Sequence, residues 1–420
     1  MRHRVKTEVP GAVEVQPGVA AEVGTGMFRS GNGHGGKEQG RSCGPPADGR
    51  KPDGSGRLGC GEGGRNRMSH MRIRTVKAIY PCWNRPLSNA WQSHFWQIVV
   101  VVTTECGRTG YGYGGGGEPA AQVVNSHLSR FLTGRTLEGV DDIRTAWQAL
   151  YRASLPYGRG GIAMMALSGV DLALWDLLGR ARNQPVCELL GGGRAPGVRA
   201  YASGLAFETY RDMGFEAVKV FHHWREPADY DRTEARIARA REVLGPEALV
   251  MLDCYMSWDA EIAVEMRKRL APYNVYWFED ILTPDHKRDL AELKPKLAPV
   301  LSAGGEHEFT LDGYKALARA NSLDIWQPDV TWCGGLTGAL DILALAKNSG
   351  IPVCLHRGGE PWGLHLIAGS DCLALAELVG PDRKDGTVQA WEGFPELVDG
   401  RLHVADRPGF GVEPDLALLA

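Results

Sequence analysis

The stretch that decides the fold runs from Leu249 to Glu306. It opens with Leu249-Val-Met-Leu-Asp253, continues through Tyr276-Trp-Phe-Glu279 and closes with Ala303-Gly-Gly-Glu306. Three short apolar runs each end in an acid, and the acids are spaced by 26 and 27 residues. That interval holds one strand, one helix and their connections. A regular repeat of this unit points to parallel strands with helical crossovers.

Working outward, the pattern extends in both directions. Candidate strands are Val198–Ala202, Ala217–Val220, Leu249–Asp253, Val275–Glu279, Val300–Glu306, Ile325–Val330, Pro352–His356 and Leu373–Leu378. Helical stretches fall between them, among them Arg232–Val243, Trp258–Leu270, Leu311–Arg319 and Gly338–Asn348. Eight strands with polar residues at many C-terminal ends predict a TIM-type (β/α) barrel within the α/β class. A doubly wound sheet would gather its site at one switch point. Neither a GxGxxG turn after an early strand nor a P-loop is present.

The barrel is expected over residues 196–385. Before it, residues 71–195 read as an N-terminal α+β capping domain. Ile73, Val76 and Ile79 start a first strand, and Phe95 to Thr104 is β-rich. Gly107 and Gly110 to Gly117 supply turns around a third short strand, and Met164 to Leu178 carries a broad apolar helical face. Residues 386–420 are expected to pack back on the cap. Residues 1–70 stand apart: 17 glycines, one leucine (Leu58), one aromatic (Phe28) and no isoleucine. Such a segment cannot build a core. It reads as a disordered leader, or as sequence ahead of a start at Met68 or Met71.

The balance of 47 basic and 50 acidic residues, net −3, argues against a polyanion-binding surface, so no nucleic-acid partner is expected. The nine cysteines form no CxxC pair and no zinc-like cluster. They read as reduced thiols of a cytoplasmic protein. The most apolar run, Trp96 to Val101, is far too short to span a bilayer, so no membrane partner is expected either.

In a barrel, consecutive strand ends are neighbours on one rim. Asp253, Glu279 and Glu306 therefore converge, and their mutual repulsion calls for a hard divalent cation, Mg²⁺ before zinc. The next two strands end in Asp329 and His356, again 27 residues apart. A carboxylate beside an imidazole sets its tautomer and raises its basicity. Facing a cation, such a pair suits abstraction of a proton next to a carboxylate, through an enediolate. Lys219 ends the second strand and shares a face with Phe221. Its charge is suited to a substrate carboxylate. Of His222 and His223 in the following loop, one contacts substrate or both are packed or solvated. His223 is the candidate.

At this point the residues resemble the enolase superfamily, in its mandelate racemase/muconate lactonizing branch, and within it the rhamnonate dehydratase group of acid-sugar dehydratases. The stretches that carry the likeness are Ser168-Gly-Val-Asp-Leu-Ala-Leu-Trp-Asp176, Met251-Leu-Asp-Cys-Tyr-Met-Ser-Trp258, Gly305-Glu-His-Glu308, Gln327-Pro-Asp-Val-Thr-Trp-Cys-Gly-Gly-Leu336 and Pro408-Gly-Phe-Gly-Val-Glu413. The likeness covers nearly all of residues 71–420. It implies the superfamily's modified barrel and cap, Mg²⁺ on Asp253, Glu279 and Glu306, and His356 paired to Asp329 as base. The implied reaction converts an acid sugar to a 2-keto-3-deoxy acid, with His356 also protonating the departing hydroxyl. His307 is implied to contact substrate or metal-bound water, and a homo-oligomer is the implied assembly. Related racemases carry a second lysine where this chain has Phe221, which argues against racemisation.

The chain also departs from the group. After His356 it reads Arg357-Gly-Gly-Glu360, where the group has small polar residues, so the pocket's polarity is expected to differ. The loop Tyr80 to Trp91 is short, and Arg85 within it either reaches a distal substrate oxygen or faces solvent. Glu377 on the eighth strand either polarises the oxyanion side or packs against a barrel lysine or arginine. Rival readings are an epimerase or cycloisomerase using the same intermediate, and a non-catalytic binding barrel.

Overall fold

Three antiparallel strands come first among the described residues: β1 (Ile73–Ile79), β2 (Ile98–Thr104) and β3 (Thr109–Gly114), in the order β1-β2-β3. The structure is a computed structural model and describes residues 71–80, 97–192, 197–370, 372, 375–381 and 391–417. The leader over 1–70 and Arg85 lie outside the described residues. In β1 the buried Ile73 and Val76 are three apart, which a regular strand forbids. A register shift between Ile73 and Thr75 supplies the extra residue that returns both to one face.

The glycines of β3 differ from their expected role. Gly110, Gly112 and Gly114 lie inside the strand, and all three face the Ile162–Arg182 helix. A Cβ on Gly112 would lie 2.0 Å from the Gly169 carbonyl and 2.5 Å from the Ala173 nitrogen. Both obstacles are backbone, so strand and helix can approach this closely only without side chains. Gly112→Ala is expected to destabilise the protein by about 3 kcal/mol. Urea unfolding checks this, and an unchanged midpoint would show that the helix moves away freely.

The Ile162–Arg182 helix is apolar nearly all round. An 18-residue window has mean hydropathy 1.5, so by length and composition it passes for a membrane span, a run the sequence reading overlooked. In the fold, 89% of that window is buried inside the protein. It lies between the cap sheet and the Gly335–Ser349 helix of the barrel. Its few polar side chains stitch the two parts together. Ser168 Oγ accepts the Gly334 and Gly335 N–H groups at 2.9 and 3.0 Å, and Asp171 accepts both the amide and hydroxyl of Thr337. Asp176 accepts the amides of Tyr111 and Phe410, each at 2.8 Å. The motif over 168–176 thus ties together the cap, the barrel and the C-terminal segment.

The barrel strands are β4 (Val198–Ser203), β5 (Ala217–Phe221), β6 (Leu249–Asp253), β7 (Trp277–Glu279), β8 (Leu301–Gly304), β9 (Ile325–Trp326) and β10 (Leu375–Val379). They run parallel in sequence order, and β10 closes back on β4. The expected strand over 352–356 is a single bridge between Trp326 and Val353. Pro352 and Pro328 carry no N–H, which keeps pairing short on both sides of that position.

The period of two stacks the interior in layers. Tyr201, Ala217, Met251, Trp277, Ile325, Cys354 and Leu375 form a buried apolar layer. Two residues onward along each strand stand Ser203, Lys219, Asp253, Glu279, Gln327, His356 and Glu377. The apolar layer is thus the floor of a polar one at the C-terminal mouth. The C-terminal segment divides its packing. Its hairpin, Glu396–Val398 with Arg401–His403, joins the barrel sheet beside β4, and the tail returns to the cap helix through Phe410 and the Arg180–Glu413 ion pair.

Beneath this tail, His365 is buried at 1% exposure, its Nδ1 accepts the Cys187 amide at 3.1 Å, and its ring meets Phe410 edge-on. Burial lowers its pKa to about 4 from an ordinary 6.5. The unfolded chain therefore binds more protons between those values, and stability falls as pH drops from about 6.5 to about 4. The native protein is expected to lose about 3 kcal/mol more than His365→Gln over that interval. Parallel urea titrations of the two proteins would contradict this by showing the same pH dependence.

Candidate active site

Lys219 rises from β5 into the centre of the barrel and is 3% exposed. Its Nζ ion-pairs with Glu279, lies 2.8 Å from Glu377 Oε1 and 3.6 Å from Asp253 Oδ2. Burial by itself would weaken this ammonium, but Glu279 and Glu377 overcome that and hold its pKa well above the ordinary lysine value. The charge expected to meet a substrate carboxylate is therefore engaged by three carboxylates of the barrel. Glu377 also accepts Ser203 Oγ and the Arg357 amide, and the nearby Lys219 and His356 charges keep it ionised against its burial, at about 2.

Glu279 is 1% exposed and accepts Trp277 Nε1 at 3.1 Å and Gln327 Nε2 at 2.7 Å. Burial raises its pKa to about 8 in spite of Lys219. Asp253 and Asp280 are also pushed up, first by burial and then, Lys219 opposing, by neighbouring carboxylates that include Glu306. Five acids at one mouth, Asp253, Glu279, Asp280, Glu306 and Glu377, exceed what one ammonium can balance, and this is an electrostatic demand for a cation.

Glu306 falls off the period of two. Gly304 and Gly305 have φ of 157° and 114°, conformations that a side chain strongly disfavours, and they turn the chain so that Glu306 reaches the mouth. There Asp280, Glu306 and His307 bring one ligand atom each within 4.8 Å of the others. His307 Nε2 lies 3.3 Å from Glu306 and 3.6 Å from Asp280. Two carboxylates and an imidazole at this spacing form a divalent-cation cluster, and the carboxylate-rich surroundings suit Mg²⁺. Asp280 was missed in the sequence because it follows Glu279 directly, and a strand's alternation assigns it the opposite face. The available signal was the acid pair itself at a strand end.

His356 and Asp329 lie side by side at the mouth. His356 Nδ1 donates to Asp329 Oδ2 at 2.8 Å, and Nε2 lies 3.3 Å from Glu306 Oε2. Asp329 is buried, yet Arg357 and His356 hold its carboxyl well below the usual range. Its other oxygen accepts the Thr331 amide and hydroxyl at 2.7 and 2.6 Å. For His356, burial opposes protonation, but Glu306 and Asp329 raise its pKa to about 9. Trp332 lines both imidazoles, with ring centroids 5.8 Å from His307 and 5.3 Å from His356.

Arg357 turns into the wall behind Asp329, at 6% exposure. His223 is exposed, whereas the neighbouring His222 is buried with Nε2 3.0 Å from Asp229. Phe221 meets Tyr255 edge-on at 6.0 Å.

Residues 204–418 match the enolase C-terminal domain-like family, and residues 73–191 match the N-terminal domain of the mandelate racemase/muconate lactonizing enzyme family. The chain belongs to the enolase superfamily. Its place is the mandelate racemase/muconate lactonizing branch. A Caldivirga maquilingensis protein provisionally named L-rhamnonate dehydratase is 35% identical over 357 residues, 83% of this chain and 88% of that one. The Mg-complexed rhamnonate dehydratase from Gibberella zeae is 29% identical, with TM-score 0.74 over 83% of this chain and 95% of that one. The 3,6-anhydro-D-galactonate cycloisomerase from Zobellia galactanivorans is 27% identical, with TM-score 0.73 over 83% and 98% of the two chains. In this enolase-superfamily member Glu306 belongs to the Asp280–Glu306–His307 cluster and also lies 3.3 Å from His356 Nε2, so the cluster and the His–Asp pair border the same small volume.

Proposed function

We propose that this protein is a Mg²⁺-dependent hydro-lyase that dehydrates an acid sugar, an aldonate of the L-rhamnonate type, to a 2-keto-3-deoxy acid. The observation that carries the reading is the His356 imidazole, tied to Asp329 through Nδ1 at 2.8 Å, with Nε2 set 3.3 Å from Glu306. Asp253 and Glu279 join Glu306 as cation ligands in this reading, with Asp280 and His307 beside them. When bound by these residues, a cation would supply positive charge against the substrate carboxylate and so acidify the adjacent C–H. His356 Nε2 takes the α-proton, and Asp329 holds the resulting imidazolium in place. The enediolate expels the 3-hydroxyl, to which His356 returns the proton, and the enol tautomerises to the ketone. The Trp332 ring, 5.3 Å from that of His356, shields one side of the base from water.

Two features support elimination over epimerisation. Phe221 occupies the strand position from which a second base would act, and Lys219 is engaged by Glu279 and Glu377. His223, His307 and Arg85 are the proposed substrate contacts, with Lys219 and Glu377 acting through the carboxylate network. Homo-oligomeric assembly in the cytoplasm belongs to the same reading.

The test is a stereochemically complete panel of C4 to C6 aldonic and aldaric acids with Mg²⁺, scored for 2-keto-3-deoxy acid. Turnover of one or a few acids is the expected result. A folded, cation-loaded protein that turns over none would overturn the dehydratase. Isomerisation of a 3,6-anhydro acid, tested beside the panel, to a 2-keto-3-deoxy acid of the same composition, with no turnover of the open-chain acids, would assign the cycloisomerase reaction instead, the reaction named for the Zobellia galactanivorans relative.

A further inference from the structure

Arg357 holds a costly conformation for a purpose that the reaction outlined above does not use. Its φ is 50°, a left-handed value that an arginine adopts at a cost, although Gly358 and Gly359 follow directly. A glycine at 357 would relieve that cost, so the arginine side chain has a role that compensates for it. The side chain closes a ring of polar contacts. Nε donates to Asp329 Oδ2 at 3.1 Å, the oxygen that also accepts His356 Nδ1. Nη2 donates to Thr331 Oγ1 at 2.7 Å, and that hydroxyl donates to Asp329 Oδ1 at 2.6 Å. The guanidinium lies over the rings of Tyr113 and Trp332, 5.8 and 5.6 Å from their centroids, with Glu360 at 3.7 Å. Tyr113 belongs to the cap, so one planar group links cap, dyad and the wall of the mouth. At its other end the Arg357 backbone N–H donates to Glu377 Oε2 at 2.8 Å.

We propose that Arg357 is a positioning residue for the base: it locks the Asp329 carboxylate in plane and so aims His356 Nε2 at the cation cluster. A carboxylate with only His356 and Thr331 as partners retains a rocking motion about its Cβ–Cγ bond. The guanidinium fork removes that motion, because it bonds one oxygen directly and the other through Thr331. It also supplies a permanent counter-charge to a buried anion. A misdirected base loses rate while substrate binding at the cation is unaffected.

The activity arm of the test rests on the proposed function, and the spectroscopic arm does not. In the full chain, Arg357→Ala is expected to lower kcat about a hundredfold with KM changed by less than about threefold. Added guanidinium is expected to recover at least about tenfold of that loss, and Arg357→Lys to fall between Ala and native. In protein selectively ¹⁵N-labelled at histidine, the Nδ1–H resonance that His356→Asn removes is expected to broaden in Arg357→Ala and sharpen again with guanidinium. A folded Arg357→Ala with native kcat and a native resonance would overturn the inference. So would a lost kcat with an unchanged resonance and no guanidinium recovery, which marks a structural role. If Arg357→Ala does not fold, Arg357→Lys decides by the same two readouts. If the native protein turns over no acid sugar, the dehydratase fails while the resonance still decides the role of Arg357.

Discussion

His356→Asn is expected to abolish turnover, lowering kcat by about 10³-fold or more, with the thermal midpoint within a few degrees of native. General acid–base catalysis by one positioned imidazole contributes about 10²–10⁴-fold, and here a single imidazole serves both the abstraction and the elimination, so its loss falls at the upper end. Asparagine keeps a donor toward Asp329, which leaves the buried carboxylate partnered and the fold intact. Exchange of the α-proton in D₂O should disappear together with product formation. Asp329→Asn is expected to retain more activity, with a loss of about a hundredfold, because it spares Nε2 and removes only the group that fixes the tautomer. A His356→Asn protein that still exchanges the α-proton would remove this histidine from the mechanism and direct attention to the other imidazole at the mouth, His307.

Glu306→Gln should weaken divalent-cation binding on the order of a hundredfold. Glu306 belongs to the cluster with Asp280 and His307, and it is also the third acid of the strand-end series with Asp253 and Glu279. Removing its charge therefore damages cation binding whichever neighbours complete the shell. Titration calorimetry with Mg²⁺ and Mn²⁺ on the folded variant reads the effect without substrate. Asp253→Asn and Asp280→Asn, measured alongside, rank the two neighbours by proximity to the ion, since a direct ligand costs more than an acid acting through space. Native affinity in Glu306→Gln would overturn the site. The cation and the base are linked through the same carboxylate, so Glu306→Gln is also expected to lower the affinity of His356 for its proton. Of the two forces acting on that imidazole, burial would then meet less opposition.

Much of this was legible before any coordinates. The acids 253, 279 and 306 and the pair 329 and 356 could be placed near the barrel mouth by counting, because a β/α unit has a nearly constant length; the period of two adds the facing of Asp253 and Glu279 but not of Glu306. The cap sheet was legible from its β-branched runs. Where counting failed, the local rule had been broken by backbone chemistry. Pro328 and Pro352 shorten two strands for want of an N–H. The bulge in β1 lets Ile73 and Val76 share a face. Gly110, Gly112 and Gly114 look like turn residues until the helix that needs their missing side chains is in view.

Charge was harder to place than hydrophobicity. Lys219 and Arg357 were visible as charged residues near the site and Asp280 went unnoticed beside Glu279; the one pairing offered was Glu377 with a barrel lysine or arginine, which Lys219 supplies. An ion pair inside a barrel joins strands and loops far apart in the chain, and nothing in the local sequence specifies which carboxylate an ammonium or guanidinium will meet. By itself the sequence determined the barrel, the ring of acids at its mouth and the His356–Asp329 dyad, because these follow from short-range periodicity. Only the tertiary structure decided that Lys219 neutralises Glu279 and Glu377, that Asp280 and His307 gather around Glu306, and that Arg357 turns into the wall behind the base. Those outcomes depend on which buried charges can be paired once the chain has closed, and an unpaired charge in the interior costs more than any local preference can offset.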